Sequence, residues 1–130
     1  MLDAGRRLSE HLAAGSIVGL TGCLGAGKTT LVKGLAEGLN IKEEVTSPSY
    51  TIIKEYHNGT LPLYHMDLYR IDNLEELFLT GFEELIYGNG ISIIEWSEKA
   101  GEVLPEEAVS INIIINSDYS RTVQIGGLEL

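Results

Sequence analysis

An α/β domain on a mixed parallel/antiparallel sheet is the fold this sequence predicts, and three observations predict it. Short apolar runs rich in β-branched residues alternate with stretches of helical periodicity. A glycine-rich turn joins the first apolar run directly to a helix, as the connections of parallel sheets do. An Asn-Gly pair separates two extended runs near the middle, which marks an antiparallel hairpin. The 130 residues suit one domain over 1–130, and 44% hydrophobic content is enough for a core.

The elements follow in chain order. Asp3 is placed to cap a first helix in which Leu8 and Leu12 share a face, and Gly15 is placed to end it. Residues 16–21 hold the short run Ile17-Val18-Gly19-Leu20, whose length and branching favour a buried strand. Over 29–39, Leu31, Val32, Leu35, Ala36 and Leu39 recur at helical spacing, with Gly38 and Asn40 as an exit. Residues 51–56 and 61–70 read as extended, joined by a tight turn at Asn58-Gly59. Asp72 opens the next helix with Glu75 as its capping-box partner, and Gly81 is a point at which it breaks in two. Its apolar face comprises Leu74, Leu77, Phe78, Phe82, Leu85 and Ile86. Strands over 91–96, 109–115 and 122–125 complete the sheet.

Charge narrows the function classes. Nine Lys and Arg face nineteen Asp and Glu, a formal charge of -10. Such a chain repels a phosphate backbone, so sequence-specific nucleic-acid binding is not expected. The lone Cys23 cannot form an internal disulfide. No apolar run approaches the roughly 20 residues of a membrane helix, and no signal-peptide core follows Arg6-Arg7, so no membrane association and a cytoplasmic location are expected.

Gly22-Cys23-Leu24-Gly25-Ala26-Gly27-Lys28-Thr29 fits G-x-x-x-x-G-K-[ST], set between a strand and a helix. Glycines let backbone amides turn inward on phosphate oxygens, and the following helix aims its positive end at the same point. Lys28 supplies the counter-charge to the β- and γ-phosphates, and the Thr29 hydroxyl suits Mg2+. This loop sharpens the fold to a P-loop NTPase-like three-layer domain.

An NTPase also needs carboxylates near the metal and the attacking water. Glu95 ends the apolar strand Ile91-Ser92-Ile93-Ile94, at the strand end where ligands of α/β sheets collect. It reads as a metal-side carboxylate or as an ordinary polar strand end. In a strand, Asp67 shares one face with His65 and Tyr69. That face reads equally as the wall of a phosphate site or as a solvated surface, with His65 a hydrogen-bonded spectator. The loop Val45-Thr46-Ser47-Pro48-Ser49-Tyr50-Thr51 is either a switch that senses the γ-phosphate or a turn. Trp96 packs beside the nucleotide or in the core.

The phosphate loop, Ser47-Pro48-Ser49-Tyr50, His65-x-Asp67-x-Tyr69-Arg70 and Ile94-Glu95-Trp96 occur together in this order. That combination closely resembles the TsaE (YjeE) family, P-loop ATPases of tRNA threonylcarbamoyladenosine biosynthesis. The resemblance spans essentially the whole chain. It implies an ATPase that uses ATP and Mg2+, slow alone, and acts on the TsaD–TsaB pair. Gly22, Gly25, Ala26, Gly27, Lys28, Thr29 and Thr30 would bind the phosphates, with Trp96 and Arg121 as further nucleotide contacts. Thr29 and Glu95 would hold the metal, and Asp67, Lys28 and Glu95 would carry the chemistry.

Two departures stand out. Most relatives carry an aspartate at Cys23, and most begin with a short segment ahead of the first helix, where Met1-Leu2 leads straight in here. The base-side contacts would then be incomplete. Two other functions compete. A small P-loop kinase needs a lid and several arginines, but only Arg6, Arg7, Arg70 and Arg121 are present and no insertion is long enough. A non-hydrolysing, nucleotide-dependent docking module shares every motif, and only Asp67 and Glu95 speak for hydrolysis. No N-K-x-D element supports a GTPase.

Overall fold

Alternation along the first strand sets the layers. In the computed structural model, which describes residues 1–23, 25–48 and 52–128, β1 runs from Ile17 to Thr21. Val18 and Leu20 join one apolar cluster, while Ile17 joins another. The first cluster is built with α1 (Leu2–Ser9) and α2 (Lys28–Gly38). The second is built with α3 (Leu74–Leu79), α4 (Phe82–Ile86) and the 3-10 turns at Ser97–Lys99 and Gly101–Val103. Helices therefore cover both faces of a sheet, the three layers that the sequence predicts.

The other strands are β2 (Ile53–Tyr56), β3 (Leu63–Asp67), β4 (Ile91–Glu95), β5 (Val109–Ile115) and β6 (Arg121–Gly126). Among the described residues they form one sheet in the order β2-β3-β4-β1-β5-β6. β3, β4, β1 and β5 run parallel, and β2 and β6 close the two edges antiparallel. β1, β3 and β4 are buried along nearly their whole length because both of their faces are covered, whereas β5 alternates buried and more exposed residues and faces the first cluster alone. After β1 the chain leads toward β3, and after β4 it crosses to β5 on the far side of β1. The connections thus diverge between neighbouring β1 and β4, which opens a crevice at their carboxyl ends.

α1 and α2 pack through glycine. A Cβ at Gly5 would overlap the Leu31 carbonyl oxygen, and one at Gly34 would overlap that of Leu2. Leu31, Val32, Leu35, Ala36 and Leu39 are all buried, as their spacing predicts.

Local signals mislead in four places. Met1, not Asp3, stands at the N-cap of α1; Asp3 sits in the first turn and pairs with Arg6 at 2.5 Å. The helix ends at Ser9, and Gly15 (φ +89) instead shapes the approach to β1, its N–H donating to Gly90 O at 2.9 Å. Asn58-Gly59 is no two-residue turn, since Tyr56 pairs with Leu63 across a longer loop. Those residues clasp the end of α2: Thr60 N donates to Leu39 O at 2.7 Å and Asn40 Nδ2 to Thr60 Oγ1 at 3.0 Å. β3 stops at Asp67, whose Oδ1 accepts from Tyr69 N at 3.0 Å and turns the chain.

The fourth concerns the helix after residue 72. Its capping box forms one residue later than the spacing predicts. Asn73 Oδ1 accepts from Glu76 N at 2.9 Å, and Glu76 Oε2 accepts from Asp72 N at 3.1 Å. Gly81 at φ +83 does divide the segment into α3 and α4. Leu77, Phe82 and Ile86 are turned inward, while Leu74 and Phe78 are exposed.

Candidate functional site

The loop between β1 and α2 owes its shape to its glycines. Gly22, Gly25 and Gly27 have φ of +145°, +80° and +106°, a region costly for residues with a Cβ. Gly27 also serves as the N-cap of α2 and lies against Met1. The amides of Lys28, Thr29 and Thr30 follow it in the first helical turn, where no earlier helical carbonyl can accept from them. Leu24 lies outside the described residues.

Arg121 reaches this loop from β6. Its Nε donates to Ala26 O at 3.2 Å and its Nη2 to Gly25 O at 3.3 Å. A trans peptide sets its N–H opposite its C=O, so the Gly27 amide is directed away from Arg121. Arg121 therefore meets the loop's carbonyls, on the outer side of the turn.

A cleft of about 330 Å³ opens beside the loop, lined by Gly25, Ala26, Gly27, Lys28, Thr29, Thr30, Ser47, Asp67, Glu95 and Trp96. Lys28, only 5% exposed, donates from Nζ to Gly22 O at 2.6 Å. Its ammonium also stands 3.7 Å from the centroid of the Trp96 ring. Trp96 adopts left-handed backbone (φ +58) directly after β4, and the Tyr69 ring packs against it at 5.0 Å between centroids. Its ring thus lines the cleft while also packing against the second apolar cluster.

Glu95 and Asp67 are register partners on adjacent parallel strands, which puts both carboxylates on the α2 side of the sheet. Their surroundings differ. Glu95 is 3% exposed; both of its oxygens stand 3.4 Å from Thr29 Oγ1, and Oε2 lies 2.5 Å from Nε2 of the fully buried His65. Asp67 is half-buried, and its Oδ2 accepts from Ser47 Oγ at 3.4 Å. Sequence reasoning treats His65 as a spectator and has no signal for its contact with Glu95, because the two are 30 residues apart. Ser47 is the described part of the hydroxyl-rich loop that reaches the cleft; Ser49, Tyr50 and Thr51 lie outside the described residues.

The donors fit a hard cation. Thr29 Oγ1 and the Glu95 oxygens face each other at a distance longer than the roughly 2.7–2.8 Å of a full O–H···O bond. Mg2+ takes oxygen ligands and is held by one or two carboxylates plus substrate phosphates. The charge count points the same way. Two carboxylates against one ammonium would repel a polyphosphate unless a cation accompanied it. Among the described residues there is no group of three or more His, Cys, Asp or Glu that could hold a metal ion. Likewise no helix is long and apolar enough to cross a membrane.

Comparison with known proteins gives a consistent picture. The model of the family "Threonylcarbamoyl adenosine biosynthesis protein TsaE" matches residues 1–123. A relative from Treponema pallidum, named tRNA threonylcarbamoyladenosine biosynthesis protein TsaE, is 48% identical over 121 residues, 93% of this chain and 86% of its own. One of the same name from Bacillus subtilis is also 48% identical, over 84% of this chain and 68% of its own. Among solved structures, the crystal structure of Bacillus subtilis YdiB superposes with a TM-score of 0.81 at 39% identity, covering 94% of this chain and 74% of that one. The chain therefore belongs to the TsaE family of threonylcarbamoyl adenosine biosynthesis proteins.

Proposed function

We propose that this chain binds ATP with Mg2+ in the cleft beside the 22–29 loop and hydrolyses it in support of tRNA threonylcarbamoyladenosine formation. The observation that carries the reading is the convergence of Lys28, Thr29 and Glu95 on one crevice in a member of the TsaE family. The amides of 25–30 would cradle the phosphates, and Lys28 would leave Trp96 and Gly22 O to neutralise them. Thr29 and Glu95 would hold the magnesium. When bound, that ion would offset the negative charge that develops on the phosphates.

Asp67 would orient the attacking water and take its proton through Oδ2, the oxygen that accepts the long Ser47 contact among the described residues. The water oxygen then bonds to the γ-phosphorus while the bond to the β,γ-bridging oxygen breaks, giving ADP and phosphate. Trp96 would pack beside the nucleotide. Arg121 would secure the loop through its carbonyls, a role distinct from the direct nucleotide contact that the resemblance implies.

Among the described residues that line the cleft there is no arginine, which agrees with slow turnover in isolation. The partners would be TsaD and TsaB, in the cytoplasm, and the chain would act through them rather than grip tRNA, as its -10 charge favours. The test is ATP hydrolysis by the chain alone and with purified TsaD and TsaB. Stimulation by the pair is expected. Phosphorylation of an added metabolite, or binding without any hydrolysis in either condition, would overturn the ATPase reading.

A further inference from the structure

We propose that His65 is a positioning residue for Glu95, holding the carboxylate toward Thr29 through a hydrogen bond from its Nε2. The proposal rests on the reading of Glu95 as a metal-side ligand and names what keeps that ligand in place. β3 and β4 run parallel with His65 beside Ile93 and Asp67 beside Glu95, so the His65 ring and the Glu95 carboxylate emerge on one face of the sheet. Their contact is 2.5 Å, and neither has more than 3% of its surface exposed.

The hydrogen-bond inventory assigns the proton. An ionised carboxylate only accepts, so Nε2 must carry the hydrogen. Nδ1 is buried and has no hydrogen-bond partner among the described residues. A proton on Nδ1 would be a buried donor without an acceptor, an unfavourable arrangement. Nε2 is therefore the nitrogen that presents its hydrogen to Glu95.

The bond also explains the placement of Glu95. A glutamate side chain has three rotatable torsions, and tying Oε2 to a ring rooted in the next strand fixes the carboxylate plane. Both oxygens then stand at equal distance from Thr29 Oγ1, at the edge of the cleft. Outer partners of this kind typically govern about 10–100-fold in metal affinity. A histidine that merely filled space in the core would need no bond to a ligand.

Two substitutions separate the roles. His65→Phe keeps a ring and removes the donor, whereas His65→Gln keeps an N–H near the place of Nε2. Calorimetric titration with ATP, with and without Mg2+, measures the gain in affinity that the metal confers. For His65→Phe we expect that gain to fall about 10–100-fold with metal-free affinity within about twofold of wild type, and His65→Gln to recover most of it. A wild-type gain in His65→Phe, or equal loss in both variants, overturns the proposal.

Wild type without any metal gain would instead overturn the ligand role of Glu95 and take this proposal with it; wild type with no ATP affinity at all would overturn the loop. Should His65→Phe fail to fold, nitrogen-15 NMR of the wild-type imidazole decides independently of nucleotide. A neutral ring protonated on Nε2 supports the proposal, and the Nδ1–H tautomer overturns it.

Discussion

The two ends of the sheet invite comparison because the larger opening is at the wrong one. At the amino ends of β1 and β5 lies a cleft of about 410 Å³, lined by residues that include Ser16, Ile17, Tyr87, Glu107 and Val109. At the carboxyl ends the cleft is about 330 Å³, yet it gathers Lys28, Asp67, Glu95 and three hydroxyls. Glu107 is the one charged side chain lining the wider cleft, and it is exposed. Lys28 and Glu95 are buried, a placement that costs solvation and persists only where other groups compensate. Size therefore does not mark the site; charge held out of water does.

The asymmetry has a physical origin. The loops after parallel strands β1, β3 and β4 all emerge at one end, so residues distant in sequence meet there. The first turn of α2 faces the same end and adds its unpaired amides. The other end receives chain only as it enters the strands, and nothing comparable converges on it.

Substitutions at the two ends would break or sharpen this contrast. Lys28→Ala should have the largest effect, a loss of ATP affinity of about 100-fold or more with the fold retained, measured by titration. Unchanged affinity would erase the distinction between the ends. Asp67→Asn should lower the hydrolysis rate by about 100-fold while ATP affinity stays within about threefold, read from single-turnover kinetics beside equilibrium binding. A loss of thermal stability in its place would make Asp67 a structural turn residue, through its bond to Tyr69 N. Glu107→Ala, at the wider cleft, should change ATP affinity and turnover by less than about twofold, within the range of ordinary surface substitutions. A larger change would show that the wider cleft takes part in the nucleotide cycle.

Legibility in the sequence followed the distance between the residues concerned. The loop from Gly22 to Thr29 is contiguous, and its chemistry is written in eight neighbouring positions that also dictate the strand before and the helix after. Strands 109–115 and 91–95 are readable because branched apolar runs admit little else. The caps were misread by one or two residues wherever several polar side chains could serve, as at Asp72 and Asn73. Asn58-Gly59 was misread because contacts with the end of α2 outcompeted the tight turn that the pair favours locally.

What the sequence by itself determined is the glycine-rich loop between a strand and a helix, the α/β alternation and the candidacy of Glu95 and Asp67. Each depends on neighbours within a turn or a strand. Only the tertiary structure decided that His65 grips Glu95, that Arg121 braces the loop from 95 residues away, and that Trp96 lies under Lys28. Those pairings arise from strand order and register. A one-residue slip between β3 and β4 would turn His65 to the opposite face of the sheet, and no local pattern records which neighbour a strand will have.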